Sequence, residues 1–177
     1  MKDLITPTRS MGYPGIFLDF LKGAESARHF YLANNPGDVA TKLDTIEFDR
    51  VSMVRILRRQ NEAFGAGKKA LVTIDRLADH RAVVVATGQQ CVLFGGPLLI
   101  LLKAVALAKA AEWLETELDR PVVPVFWIAA DDHDFAEINN SWFLTKSGDL
   151  SKLSYTAESG GVPASDIILR DADQLAS

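Results

Sequence analysis

Two β-branched runs flanking one long apolar stretch constrain this chain more than any other feature. Ala82-Val83-Val84-Val85-Ala86 and Val122-Val123-Pro124-Val125-Phe126-Trp127-Ile128-Ala129 show no polar alternation, the pattern of strands buried on both faces. Between them, Pro97 stands where a helix places its first residue, since its missing N–H is not needed there. The helix then runs to about Leu118. Its first half is apolar almost all round, so both sides call for cover, while Glu112, Glu115, Glu117 and Asp119 make its end solvated. Asp119-Arg120-Pro121 breaks it. Strand, helix, strand is one βαβ unit with an expected right-handed crossover. Pro124 cannot donate to a ladder, so its side of the strand is expected at an edge or a bulge.

Around this unit the chain predicts three parts. Residues 1–80 are a lead-in with helices packing on the core, 81–140 the βαβ unit, and 141–177 a truncated hairpin and loop extension. The lead-in reads as irregular up to residue 48. Its apolar patches, Ile16 to Leu21 and Phe30-Tyr31-Leu32, are expected to pack as lids or struts, with a turn at Asn34 to Asp38. Asp49 can cap a helix running to about Phe64, with Val51, Val54, Ile56 and Leu57 as its stripe and Gly65 and Gly67 ending it. A second helix covers Lys69 to Asp79. Ser141 to Leu144 and Lys152 to Tyr155 fit a hairpin about Ser147-Gly148-Asp149, and the tail from Ser159 reads as loop. One βαβ unit is too little for a finished doubly wound sheet. The expectation is therefore an incomplete α/β parallel sheet, from a fragment or a truncated relative of a larger protein.

Composition narrows the function classes. With 48% hydrophobic and 24% charged residues, the chain has the make-up of a globular protein and not of a disordered tail. A net charge of −4 argues against a protein that tracks nucleic-acid phosphates. It leaves open a nucleotide held by backbone amides. The single Cys91 excludes an internal disulfide framework and fits a reducing compartment. The N-terminus lacks the apolar core of a signal peptide. The most apolar segment, Leu98 to Ala111, is too short for a bilayer and is interrupted by Lys103 and Lys109. The expected setting is cytoplasmic, with no membrane and no nucleic-acid partner.

Ligands of parallel α/β sheets bind outside the carboxyl ends of the strands, and both strands here end in unusual polar sequence. The first ends in Thr87-Gly88-Gln89-Gln90, entering a glycine-bearing loop that reaches Gly95 and Gly96; the second ends in Asp131-Asp132-His133-Asp134. The loop and helix start could hold an anion on free N–H groups, or simply make a tight turn with Gln89 and Gln90 bonded locally. Lys103, about two turns into the helix, either snorkels to water or meets an anion. The cluster of Asp131, Asp132, Asp134 and Glu137 with His133 could bind substrate directly or hold Mg²⁺ beside a phosphate. Alternatively, Asp134 and Glu137 form a capping box. Substrate binding by Asp132, His133 and Asp134 is the favoured reading, and metal ligation by the protein alone is not. Cys91 is either a nucleophile or a packing residue, and Phe94, Phe126 and Trp127 read as core.

Two stretches carry a resemblance. Thr87-Gly88-Gln89-Gln90-Cys91-Val92-Leu93-Phe94-Gly95-Gly96-Pro97-Leu98, with Lys103-Ala104 beyond it, resembles the T-G-Q-Q-x-G-L-F-x-G-P-L stretch of the bacillithiol-biosynthesis cysteine-adding enzymes, BshC. Val122 to Ala129, followed by Asp132-His133-Asp134-Phe135 and Glu137, resembles that family's V-P-V-F-W-I-A-x-E-D-H-D-F-x-E block. The resemblance implies a Rossmann-like, nucleotidyltransferase-type sheet and a ligase that adds cysteine to glucosaminyl-malate. It implies that Asp132, His133 and Asp134 act on substrate and that Gly88, Gln89, Gln90, Gly95, Gly96 and Lys103 bind nucleotide or substrate. ATP and Mg²⁺ are the implied cofactors, and a homodimer is implied through a coiled coil absent here, so this part alone is expected to be inactive. Asp131 stands where the family has Glu, Val92 where it has Gly, and Leu99 where it has Tyr. The two histidines that steady adenylate phosphates in pantothenate synthetase are missing, so any adenylation needs other cations, such as Lys103 or a metal. The alternative is a non-catalytic remnant that binds a nucleotide or a partner chain, and a purely structural module comes third.

Overall fold

A computed structural model describes residues 8–31, 35–156 and 161–170; the expectations for residues 1–7, Leu32, Asn34, Ser159 and Gly160 lie outside them. The chain divides into two compact units, Met1–Val83 with Thr116–Pro121, and Val84–Glu115 with Val122–Ser177.

The first unit is helical. After a 3₁₀ turn at Thr8–Met11 come α1 (Gly15–Leu21), α2 (Glu25–Arg28), α3 (Pro36–Leu43), α4 (Arg50–Ala63) and α5 (Lys68–Asp75), then a 3₁₀ turn at Arg76–Ala78. The lead-in is thus not irregular. Asn35 and Pro36, read as part of a turn, start a helix instead: the Asn35 side chain accepts from the Asp38 N–H at 2.9 Å, with Pro36 in the first turn. Asp49 caps α4 as expected, accepting from the Ser52 N–H at 3.0 Å. The expected stripe on α4 splits, because Val51 and Ile56 stay exposed while Val54 and Leu57 are half-covered. The apolar patches of the lead-in meet through Phe20 and Tyr31, whose ring centroids lie 4.4 Å apart, but Phe17, Leu21 and Phe30 remain exposed.

Two arginines tie this unit together. The Arg50 guanidinium donates to the carbonyls of Leu77, His80 and Ala82 at 3.1, 3.0 and 3.2 Å. Arg120 forks onto Asp44 at 3.1 and 2.6 Å and also donates to the Arg81 carbonyl. Between them they supply donors to four backbone carbonyls of this unit.

Most of the βαβ element belongs to the second unit. β1 (Val83–Gln90) and β2 (Val122–Ala129) are parallel neighbours joined by α6 (Leu98–Leu118). β1 runs further than the apolar pattern indicated, because Thr87 to Gln90 continue the strand instead of entering the loop. Gly88 makes this possible: a Cβ there would lie 2.7 Å from the Trp127 carbonyl oxygen and 3.0 Å from its Cβ. The side chains of β1 and β2 are less covered than expected. Val122 and Val123 are buried, but Val84, Trp127 and Ile128 are exposed, and so is Phe94 beyond β1. Two strands have two free edges, which also accommodates the missing N–H of Pro124. On α6, only Leu107 and Ala111 are buried, while Leu98, Leu99, Leu101, Leu102 and Val105 are each more than half exposed. Glu115 does more than solvate the helix end, since it accepts from the Val122 N–H at 3.2 Å where β2 starts. Among the described residues, no helix is long and apolar enough to cross a membrane.

After β2 come α7 (Phe135–Ile138) and the antiparallel hairpin of β3 (Asn140–Leu144) and β4 (Leu150–Ser154), in register Ser141↔Leu153 and Trp142↔Lys152. Its turn closes with Thr145 N–H on the Asp149 carbonyl at 2.9 Å, and Gly148 takes φ 89°. The tail makes a 3₁₀ turn at Ala164–Asp166.

Two outcomes follow. Gly88→Ala should destabilise by about 2 kcal/mol or more, because the clash is with backbone and not with a movable side chain. Arg50→Met should cost about 2 kcal/mol by leaving three carbonyls short of a charged donor, whereas Arg58→Ala, which loses only exposed ion pairs, should stay below about 1 kcal/mol. Urea unfolding of the three variants checks both.

Candidate functional site

The close approach at Gly88 brings the carboxyl ends of β1 and β2 together. Gln90, the last residue of β1, uses both N–H groups of its amide: one donates to Asp132 Oδ2 at 2.6 Å and the other to Glu137 Oε2 at 2.9 Å. The two polar motifs read at the strand ends therefore meet through one side chain. Gln89 faces another partner. Its Oε1 accepts from Lys103 Nζ at 2.7 Å, and the same ammonium lies 3.4 Å from the Gly88 carbonyl oxygen. These contacts anchor α6 to the end of β1.

On the β2 side, the Asp132 carboxylate also accepts from the Asp134 N–H at 3.1 Å. The amide of Gln90 and this backbone N–H hold its carboxyl below the ordinary value of 3.8, because they stabilise the ionised form. Asp134 is occupied as the cap of α7, accepting from the Glu137 N–H at 3.3 Å. His133 and Asp131 are exposed. The loop is braced from the tail: the N–H groups of Ala164 and Ser165 donate to the carbonyls of Asp132 and Ala130 at 2.9 and 2.8 Å.

A cavity of about 610 Å³ opens beside this junction. Gln89, Gln90, Glu137, Asn140 and Ser141 supply its polar wall, and Pro97, Leu98 and Trp142 are among its apolar residues. Gly95 and Gly96 build the turn that leads to α6, with φ of 80° and 71°. Gly96 is tightly surrounded, since a Cβ there would lie 2.6 Å from Ile100 Cδ1, whereas Gly95 faces open space. Asn140, Trp142 and the bracing amides of the tail were not singled out from the sequence. Ser141 to Leu144 read in the sequence only as a hairpin strand, and a hairpin pattern does not say which sheet end it will cover.

The lining does not fit the ATP and Mg²⁺ that the resemblance implies. It carries amides, the Ser141 hydroxyl and the Glu137 carboxylate but no lysine or arginine. Glu137 is the one carboxylate in the lining, and among the described residues no group of three or more His, Cys, Asp or Glu is placed to hold a metal ion. The donor set suits an amino or hydroxyl group. Cys91 is exposed, at the mouth of the turn.

Replacing Gln90 by Leu should move the Asp132 titration up toward its ordinary value, since the first cause of the depression is removed. The sign for stability follows. A depressed carboxyl contributes fully above its unfolded pKa and loses that contribution as pH falls through the folded value, so the variant should show less acid-dependent loss of stability below pH 4, about the unfolded value. Carboxyl ¹³C shifts followed against pH check this directly.

The family profile described as "Bacillithiol biosynthesis BshC, N-terminal Rossmann-like domain" matches residues 5–175. Several curated proteins named "Putative cysteine ligase BshC" are similar. One from Desulforamulus reducens is 39% identical over 124 residues, covering 67% of this chain and 23% of that protein. One from Salinibacter ruber is 33% identical over 160 residues, covering 85% and 28%, and one from Koribacter versatilis is 37% identical over 161 residues, covering 86% and 29%. The matched part thus spans about a quarter of the relatives' length. With a parallel βαβ unit whose strand ends meet at the two motifs, and a match along nearly its whole length, the chain belongs to the BshC family, as its N-terminal Rossmann-like domain.

Proposed function

We propose that this domain orients substrate in an enzyme that joins cysteine to glucosaminyl-malate, forming a carbon–nitrogen bond in bacillithiol synthesis. The observation that carries the reading is the Gln90 bridge between Asp132 and Glu137 at the joined strand ends, beside an amide-lined cavity. The names of the relatives support the reaction class.

In this reading Asp132, held ionised by Gln90, accepts from an amino or hydroxyl group of the substrate. The amine of one substrate attacks the carboxyl carbon of the other, the C–N bond forms as the C–O bond to an oxygen leaving group breaks, and exposed His133 takes the proton that nitrogen sheds. Asp134 acts through the α7 cap and is a positioning residue. Gln89 and Lys103 fix the end of β1 and do not themselves touch phosphate.

One observation favours a second reading, in which the chain binds a partner chain without turning substrate over. The N-terminal half of α6 exposes five large apolar side chains, more than an isolated surface helix normally shows.

The test measures thiol product from glucosaminyl-malate, cysteine and ATP, made by the protein that carries this domain. His133→Ala and Asp132→Asn should lower the rate by about 10²- to 10³-fold, as loss of a proton acceptor or an electrostatic contact does. Their melting should barely change. Asp134→Ala should cost about 1 kcal/mol of stability, as loss of a cap does. Full turnover in the His133 variant would remove the cluster from the mechanism. Absence of turnover in the unsubstituted protein, together with capture of a second chain on α6, would favour the partner reading.

A further inference from the structure

Three consecutive residues after β1 adopt left-handed backbone: Phe94 at φ 55°, Gly95 at 80° and Gly96 at 71°. Glycines take this region without penalty, but a phenylalanine does not, so something must hold Phe94 there. The turn's own bonds are two, from Gly95 N–H to the Val92 carbonyl at 3.0 Å and from Gly96 N–H to the Leu93 carbonyl at 3.2 Å. The remaining restraints come from β3. The Ser141 hydroxyl, 7% exposed, donates to the same Leu93 carbonyl. The Phe143 ring meets the Phe94 ring edge-on, with centroids 5.8 Å apart and planes at 78°. Ser141 and Phe143 are two residues apart and so project from one face of the strand.

We propose that the β3–β4 hairpin is the positioning device of the glycine turn. Ser141 holds the Leu93 carbonyl and Phe143 the ring of Phe94, which keeps Phe94 in its left-handed conformation, and the clamp fixes where Pro97 and Leu98 form their side of the cavity. Phe143 lies outside the cavity lining and acts through the turn; Ser141 lines the cavity as well, but its hydroxyl is turned to the Leu93 carbonyl. The role of the cavity as a substrate site rests on the function proposed above, but the clamp itself does not.

Hydrogen exchange of the intact chain without ligand tests the clamp, and titration of glucosaminyl-malate tests the site. In Ser141→Ala and Phe143→Ala, the Gly95 and Gly96 amides should exchange at least about ten times faster, the fold-change expected when a buried bond or ring contact is lost. The β1 and β2 amides should keep their rates. Ser141→Thr retains the hydroxyl and should restore the slow exchange. Leu144→Ala, an exposed residue of the same strand, controls for hairpin stability and should leave the turn unchanged. Binding of glucosaminyl-malate should weaken about tenfold in the two clamp variants alone. Unchanged turn exchange in both clamp variants overturns the proposal. So does a loss of protection spread evenly over β1 and β2, or an equal effect of Leu144→Ala. Faster turn exchange in a protein that does not bind glucosaminyl-malate upholds the clamp and refutes the substrate reading.

Discussion

Position 88 can carry no side chain, and much of the second unit depends on that. A Cβ at Gly88 would press on the Trp127 backbone. With none, β1 and β2 lie close enough to pair through Gln90, four residues beyond the last apolar residue of the β1 run. Pairing to that depth delivers the Gln90 amide to Asp132 and Glu137. The same stretch delivers Gln89 and the Gly88 carbonyl to Lys103, so sheet and crossover helix are fastened at one point.

That junction places two carboxylates around a single neutral donor group. An amide satisfies both without neutralising either, so the negative charge remains available to a substrate group that can donate. Asp132 titrates low because its neighbours stabilise the ionised form, with Gln90 first among them. The hairpin and the tail enclose the same point from outside the βαβ unit, Ser141 through the Leu93 carbonyl and Ala164 through the Asp132 carbonyl. The site is therefore built by residues on both sides of β2, and not by the two strand ends alone.

Much of this was legible in the sequence. The β-branched runs, the proline that opens α6 and the aspartate that caps α4 each report a local preference, and each element formed close to its expected bounds. The convergence of Gln90 with Asp132 was legible too, because parallel strands put their carboxyl ends on one side. The burial was not. Val84, Phe94 and Trp127 read as core yet stand exposed, since apolar character states a preference for cover and says nothing of whether an element lies there to provide it.

The division between the two has a physical basis. Periodicity, capping residues and chain-breaking prolines act within a few residues, so the sequence by itself determined α4, α5, α6, β2, the hairpin, the parallel βαβ order and the family to which the motifs belong, but not the three helices of the lead-in. Contacts between distant segments depend on packing and register. Only the tertiary structure decided that Thr87 to Gln90 are strand and not loop, and that Lys103 is anchored at Gln89. It also decided that Ser141 and Phe143 reach back to the turn at Phe94, because a side chain's partner some fifty residues away is set by where the backbone carries both, and no local propensity encodes that distance.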